Sequence, residues 1–137
     1  EVSPELSRGF RGLRVWLPIK LHGLGPFRRN LDEKLDLARW AAAELRRIPG
    51  MEVATEPVLS LFAFRYRPHG VEGAALDALN RRLLEAVNAR GRVHLTGTTA
   101  KGAFHIRMCV LSFRTHLDRM EAALQDLRAA AGEVHPP

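Results

Sequence analysis

A chain of 137 residues is the size of one domain and can bury a core without disulfides or metals. Hydrophobic residues make up 46% of it and charged residues 26%, which excludes a disordered chain, and no apolar run approaches the roughly 20 residues of a membrane span. The net charge of +6 comes almost wholly from arginine, and the single cysteine, Cys109, excludes an internal disulfide and leads to the expectation of a cytoplasmic protein. No secretory signal opens the sequence, and a start at Glu1 rather than methionine reads as a piece of something longer.

In chain order, Phe10, Leu13, Trp16, Leu17 and Leu21 recur at helical spacing from Arg8 to His22. Pro18 interrupts that pattern and is expected to kink it or remove a backbone hydrogen bond. Gly23 and Gly25 stop the helix. Pro26 suits a first helical position, and a second helix follows with Phe27, Leu31, Leu35, Ala38, Ala42 and Leu45 as its apolar stripe, ended by Pro49-Gly50. Strands are expected over Met51 to Thr55 and Val58 to Tyr66. The second is apolar on both faces and so central in its sheet.

Leu76, Leu79, Leu83 and Val87 define a third helix, closed near Gly91. Val93 to Thr96 and Ala103 to Leu111 read as two more strands joined by a polar hairpin over Gly97 to Gly102. Thr115 begins the last helix, with Leu117, Met120, Leu124, Leu127 and Ala131 inward. The order helix, helix, strand, strand, helix, strand, strand, helix implies an α/β (α+β) sandwich in which helices pack on a small, mainly antiparallel sheet.

Few residues advertise chemistry. The Gly97 to Gly102 segment lacks the Gly-Lys-Ser/Thr step of a phosphate loop and lies between strands. No histidine stands at ligand spacing from another histidine, a cysteine or an acid, so no metal site is expected. Cys109 reads as a buried small hydrophobe. The arginines are spread along the chain, and the pairs Arg28-Arg29, Arg46-Arg47 and Arg81-Arg82 read as solvated helix faces.

Two places stand out. In the strand Phe104 to Val110, Phe104, Ile106, Met108 and Val110 share one face, and His105, Arg107 and Cys109 the other. Arg107, if buried, needs a partner, which is either a structural acid or the carboxylate of a ligand held by the guanidinium fork. Ser7, Arg8 and Arg11 lie at the start of the first helix, where backbone N–H groups suit an anion and where Ser7 also suits an ordinary cap.

The run Ser3-Pro4-Glu5-Leu6-Ser7-Arg8-Gly9-Phe10-Arg11-Gly12-Leu13-Arg14-Val15-Trp16, followed by Leu21-His22-Gly23, resembles the group II pyridoxal-phosphate amino-acid decarboxylases. This family includes the aromatic-L-amino-acid, histidine, tyrosine and glutamate decarboxylases. The resemblance continues through Phe27 to Leu45, Leu59 to Arg65, Val93-His94-Leu95, Phe104-His105-Ile106-Arg107 and Ser112-Phe113-Arg114-Thr115, and the aromatic branch looks nearer than the glutamate branch.

It implies the small carboxy-terminal domain of a homodimeric fold-type-I enzyme, whose large domain carries pyridoxal 5'-phosphate on a lysine preceded by histidine. Lys20 follows Ile19, Lys34 follows Glu33 and Lys101 follows Ala100, so none matches. Residues 1–25 then correspond to a connecting segment and helix after the cofactor domain, and 26–137 to the small domain. The resemblance places Ser7 at a position that approaches cofactor and substrate side chain from the neighbouring subunit. It places Arg107 on the strand whose arginine takes a substrate carboxylate or anchors the domain. No catalytic residue is assigned to the chain.

The expected function is therefore the carboxy-terminal part of a carboxy-lyase that releases CO2 from an L-amino acid, inactive alone and binding no cofactor by itself. The expected partners are the rest of the decarboxylase, a second subunit and, in the parent, an amino-acid substrate, with no nucleic acid and no membrane. The alternative is a free-standing basic binding or dimerisation module.

Overall fold

The computed structural model describes residues 9–134. Eight elements follow one another: α1 (Arg11–His22), α2 (Gly25–Leu45), β1 (Met51–Val53), β2 (Leu61–Tyr66), α3 (Gly73–Ala89), β3 (Thr96–Ala100), β4 (Ala103–Cys109) and α4 (Leu117–Val134). Two compact units divide the chain at residues 32 and 33, inside α2.

In the first unit, α1 carries Pro18 and ends at Gly23, whose φ of 72° is readily adopted only by a residue without a Cβ. No residue of α1 is buried. Leu13, Val15, Trp16, Leu17 and Leu21 are all exposed, as are Phe10, Leu24, Phe27 and Leu31 around it.

The second unit is a two-layer sandwich. Its sheet has the order β1-β2-β4-β3 with every pairing antiparallel, so β2 is central, as its two apolar faces led one to expect. The α+β arrangement of four helices and a small antiparallel sheet agrees with the sequence-based expectation. One sheet face supplies Phe62, Phe64, Phe104, Ile106, Met108 and Val110 to the core, where they meet Leu37, Ala38 and Leu45 of α2, Leu83 and Val87 of α3, and Met120, Leu124 and Leu127 of α4. Alternation along β4 fixes this arrangement, because successive side chains must point to opposite faces.

Asparagines on α3 lock the layers together. Asn80 is fully buried; its Oδ1 accepts from Tyr66 N–H at 2.7 Å, and its Nδ2 donates to the carbonyls of Tyr66 (2.8 Å) and Leu76 (2.9 Å). Asn88 treats Leu95 the same way, accepting from its N–H at 2.8 Å and donating to its carbonyl at 3.0 Å. Each amide thus stands in for a strand neighbour of one residue and hydrogen-bonds its backbone groups.

Several expected boundaries moved. The last hairpin is longer than the sequence suggested: β3 begins at Thr96 rather than ending there, and the turn is only Lys101-Gly102. Both turn residues have positive φ, 51° and 78°, the two-residue turn whose twist matches antiparallel strands. β4 ends at Cys109 and β2 starts at Leu61, with only an isolated Val58–Leu61 bridge before it. The stripe of α2 is also displaced. Its buried residues are Lys34, Leu37, Ala38, Ala41, Ala42 and Leu45, whereas Phe27 and Leu31 are exposed, because the core begins only where the second unit does. Leu117, expected inward, is exposed at the first position of α4.

Candidate functional site

The side of the sheet away from the helices is open. On it, β2 places Leu61, Ala63 and Arg65, and β4 places His105, Arg107 and Cys109. Toward β1, Arg65 is bonded to Glu52 at 3.3 Å. Toward β3, Arg107 lies between Ala63 of β2 and Thr96 of β3, directly opposite both.

Arg107 is exposed, so the burial that would have demanded a structural acid does not apply. Its Nε donates to Thr96 Oγ1 at 3.0 Å, and among the described residues it has no carboxylate partner. Some other arginines of this unit are ion-paired, Arg65 and Arg67 with Glu52, Arg67 also with Glu72, and Arg90 and Arg92 with Asp126, whereas Arg81 and Arg114 lie over the Phe104 and Phe113 rings. The Nη groups of Arg107 are thus open to a ligand carboxylate or phosphate. Near it on the same strand, His105 Nδ1 donates to the Ala103 carbonyl at 3.0 Å, which fixes its tautomer when neutral. Cys109 is exposed and not the buried hydrophobe expected, because alternation puts it on the open face with Arg107.

Ser7, the other site residue expected from sequence, lies outside the described residues. The residue in the cap position of α1 is Phe10, which gives no side-chain cap bond.

None of the three lysines occupies a place suited to an aldehyde cofactor. Lys20 is exposed on α1 and Lys101 is exposed at the hairpin turn. Lys34 is 2% exposed, with Nζ bonded to Glu33 at 2.8 Å and to the Thr115 carbonyl at 2.5 Å. Lys34 lies four residues before Ala38 on the buried face of α2, a spacing that its charge conceals, and the carbonyl that satisfies it is 81 residues away.

Glu33 completes this cluster. Its other oxygen meets His116 Nδ1 at 2.7 Å, and the hydrogen bonds from Lys34 and then His116 hold its carboxyl below the ordinary 4.5. A second charged cluster joins the 90–92 segment to α4. Asp126, 1% exposed, receives Nε of Arg92 at 3.0 Å and Nη2 at 2.5 Å, and that hydrogen bonding raises Arg92 above its ordinary value.

Three depressions mark the surface of this unit, one of them a shallow site of about 400 Å³ beside Arg81, Gly97 and Phe104. The largest of the three, about 840 Å³, is a broad cleft around Pro49, Gly50, Tyr66 and the Pro68-His69-Gly70 turn. The smallest, about 280 Å³, has Leu95, Met108, Val110 and Met120 in its floor and Arg92, Arg114 and Arg119 at its margin. Among the described residues no group of three or more His, Cys, Asp or Glu side chains is arranged for a metal ion, and no helix is long and apolar enough to cross a membrane.

This fold is that of the carboxy-terminal part of amino-acid decarboxylases. The structure of Catharanthus roseus tryptophan decarboxylase in complex with L-tryptophan matches with a TM-score of 0.84 at 23% identity, over 93% of this chain and 26% of that one. The Oryza sativa enzyme solved with pyridoxal phosphate and tryptamine matches with a TM-score of 0.80, also at 23% identity, over 92% of this chain and 27% of that one.

The sequence carries the relationship further. The chain is 33% identical over 135 residues to an aromatic-L-amino-acid decarboxylase of Bacillus atrophaeus, which is 98% of this chain and 28% of the relative. It is 28% identical over 126 residues to a tryptophan decarboxylase of Camptotheca acuminata, 91% of this chain and 25% of the relative. No family model matches. The homologues are aromatic-L-amino-acid, tyrosine and tryptophan decarboxylases, and the chain is homologous to the carboxy-terminal part of these group II pyridoxal-phosphate enzymes. It spans about a quarter of the length of the curated relatives it matches.

Proposed function

We propose that this chain is the carboxy-terminal portion of a pyridoxal-phosphate-dependent decarboxylase of aromatic L-amino acids, and that it is inactive alone. The observation that carries the reading is the 33% identity across 98% of the chain to an aromatic-L-amino-acid decarboxylase. The lack of a lysine in a cofactor-holding position supports inactivity of the isolated chain. The exposed apolar side chains of α1 support a role in docking to the rest of the enzyme, because such side chains gain from burial against a partner surface.

In this reading Arg107 receives the substrate carboxylate on the open sheet face. A guanidinium with, among the described residues, two free Nη groups and no ion-pair partner, and with small neighbours on both flanking strands, suits that task. Ser7 approaches the cofactor and the substrate side chain from the neighbouring subunit of a homodimer. The enzyme is cytoplasmic, and its cofactor is held by the upstream large domain.

The test begins with the coding sequence ahead of Glu1. A His-Lys pair in a large upstream domain is expected, and its absence overturns the enzyme reading. In the full enzyme, Arg107→Gln is expected to raise KM for the amino acid by about tenfold to a hundredfold. An unchanged KM removes Arg107 from the substrate site. The isolated chain is expected to release no CO2 from L-tryptophan, L-tyrosine or L-dopa, and measurable turnover by it refutes inactivity.

A further inference from the structure

We infer that Thr96 is a positioning residue for Arg107: by accepting the Nε–H, its hydroxyl turns the guanidinium so that its Nη1/Nη2 edge meets the substrate carboxylate. The inference rests on the reading of Arg107 as the carboxylate ligand and adds which edge it offers and what sets that edge.

A guanidinium carries five N–H donors in a plane, one on Nε and two on each Nη. A carboxylate can be gripped by two parallel bonds at either of two edges, the side edge formed by Nε and one Nη, or the end edge formed by both Nη groups. In this protein the Nε–H is already given to Thr96 Oγ1 at 3.0 Å. The side edge is therefore taken, and the end edge remains.

The placement of Thr96 is not accidental to the sheet. It is the first residue of β3 and pairs directly with Arg107 in the β3–β4 ladder, so the ladder fixes its Cα opposite that of Arg107. Residues directly opposite on one face have their Cβ atoms about 5 Å apart, within reach of each other's side chains. A threonine is also stiff at χ1, which holds its hydroxyl in place.

Leu95, the residue just before Thr96, is tied on both backbone groups to Asn88 of α3, which anchors the start of β3. On the other flank, Ala63 of β2 is small and contributes no polar side-chain atom. Among the described residues, Thr96 is the sole hydrogen-bond partner of the Arg107 side chain. An arginine held at Nε surrenders less rotational freedom when its remaining donors bind, which is the usual source of gain from preorganisation.

Two measurements test this. The first uses the 137-residue chain and asks only about the hydrogen bond. The Arg107 Nε–H resonance in a nitrogen-edited NMR spectrum, assigned by its loss in Arg107→Lys, is expected to exchange slowly with water. Thr96→Val is expected to speed that exchange, and Thr96→Ser to keep it slow.

The second uses the full enzyme and compares KM for the amino acid with kcat. Thr96→Val is expected to raise KM roughly tenfold, with a smaller change in kcat and with Thr96→Ser close to wild type. Thr96→Val combined with Arg107→Gln is expected to be no worse than Arg107→Gln alone, since the threonine acts through the arginine.

If Arg107→Gln leaves KM unchanged, the substrate role of Arg107 fails, and the inference with it, whatever the NMR shows. If Arg107→Gln raises KM while Thr96→Val does not, or if the two effects add, the role of Arg107 stands and Thr96 is not its positioning residue. Should Thr96→Val unfold the enzyme, Thr96→Ala and Thr96→Ser give the same comparison, and an Nε–H that exchanges equally fast in all variants overturns the inference.

Discussion

Asn80 shows how much one side chain can carry. Its amide supplies three hydrogen bonds in a fully buried position, two of them to both backbone groups of Tyr66 at the end of β2. Asn80→Ala removes those three buried hydrogen bonds and opens a cavity, and is expected to cost about 2–4 kcal/mol, read as a lower midpoint in urea unfolding. Asn88→Ala, at a half-buried site with two such bonds, is expected to cost about 1 kcal/mol by the same measurement.

Glu33 belongs to the same scale through its charge. Its pKa is lower in the folded chain than in the unfolded one, first through Lys34 and then through His116, so the stabilisation it provides is present above its ordinary 4.5 and is lost as pH falls through the folded value. Glu33→Gln is expected to destabilise the chain near neutrality and to converge on wild type in acid. Urea midpoints taken between roughly pH 6 and pH 3 follow the convergence, and a difference that stays constant over that range contradicts it.

At the scale of elements, the β3–β4 hairpin has little room to vary. A Cβ built on Gly97 would stand 2.5 Å from the Phe104 ring, which is buried and also carries the Arg81 guanidinium 4.2 Å above its centre. Gly97→Ala is therefore expected to push that ring off its seat and cost about 1–3 kcal/mol, checked by thermal unfolding of the chain. The same close approach explains why glycine sits inside a strand here, where it ordinarily weakens the pairing. At the opposite edge, Gly50 combines a φ of 79° with a Tyr66 ring 2.6 Å from where a Cβ would lie, so the Pro49-Gly50 turn is held both by conformation and by space.

The second unit is a well-packed sandwich, and the first carries a helix none of whose residues is buried. Because Leu13 and Trp16 of α1 are exposed, Leu13→Ser and Trp16→Ser are expected to change the unfolding free energy of the chain by less than about 0.5 kcal/mol. The same substitutions are expected to weaken assembly of the full enzyme, visible as a dissociated species in size-exclusion chromatography. A large loss of stability in the isolated chain would mean instead that α1 is packed against it.

The sequence by itself determined the order of elements, the central position of β2 and the likeness to the carboxy-terminal part of amino-acid decarboxylases. Each follows from a local signal: apolar spacing of 3.6 or 2 residues, turn residues such as Pro49-Gly50, and the motif around Ser7 to Trp16. It also singled out Arg107, as a charged residue inside an apolar strand. It did not reveal the burial of Lys34, the strand-like pairing of Asn80 and Asn88, the exposure of Cys109 or the bond from Arg107 to Thr96. These were decided by tertiary structure, because each depends on which segments meet across the fold rather than on spacing along the chain. Lys34 finds its carbonyl on the loop before α4, Asn80 finds Tyr66 at the end of a strand, and Thr96 faces Arg107 only once the β3–β4 register is set.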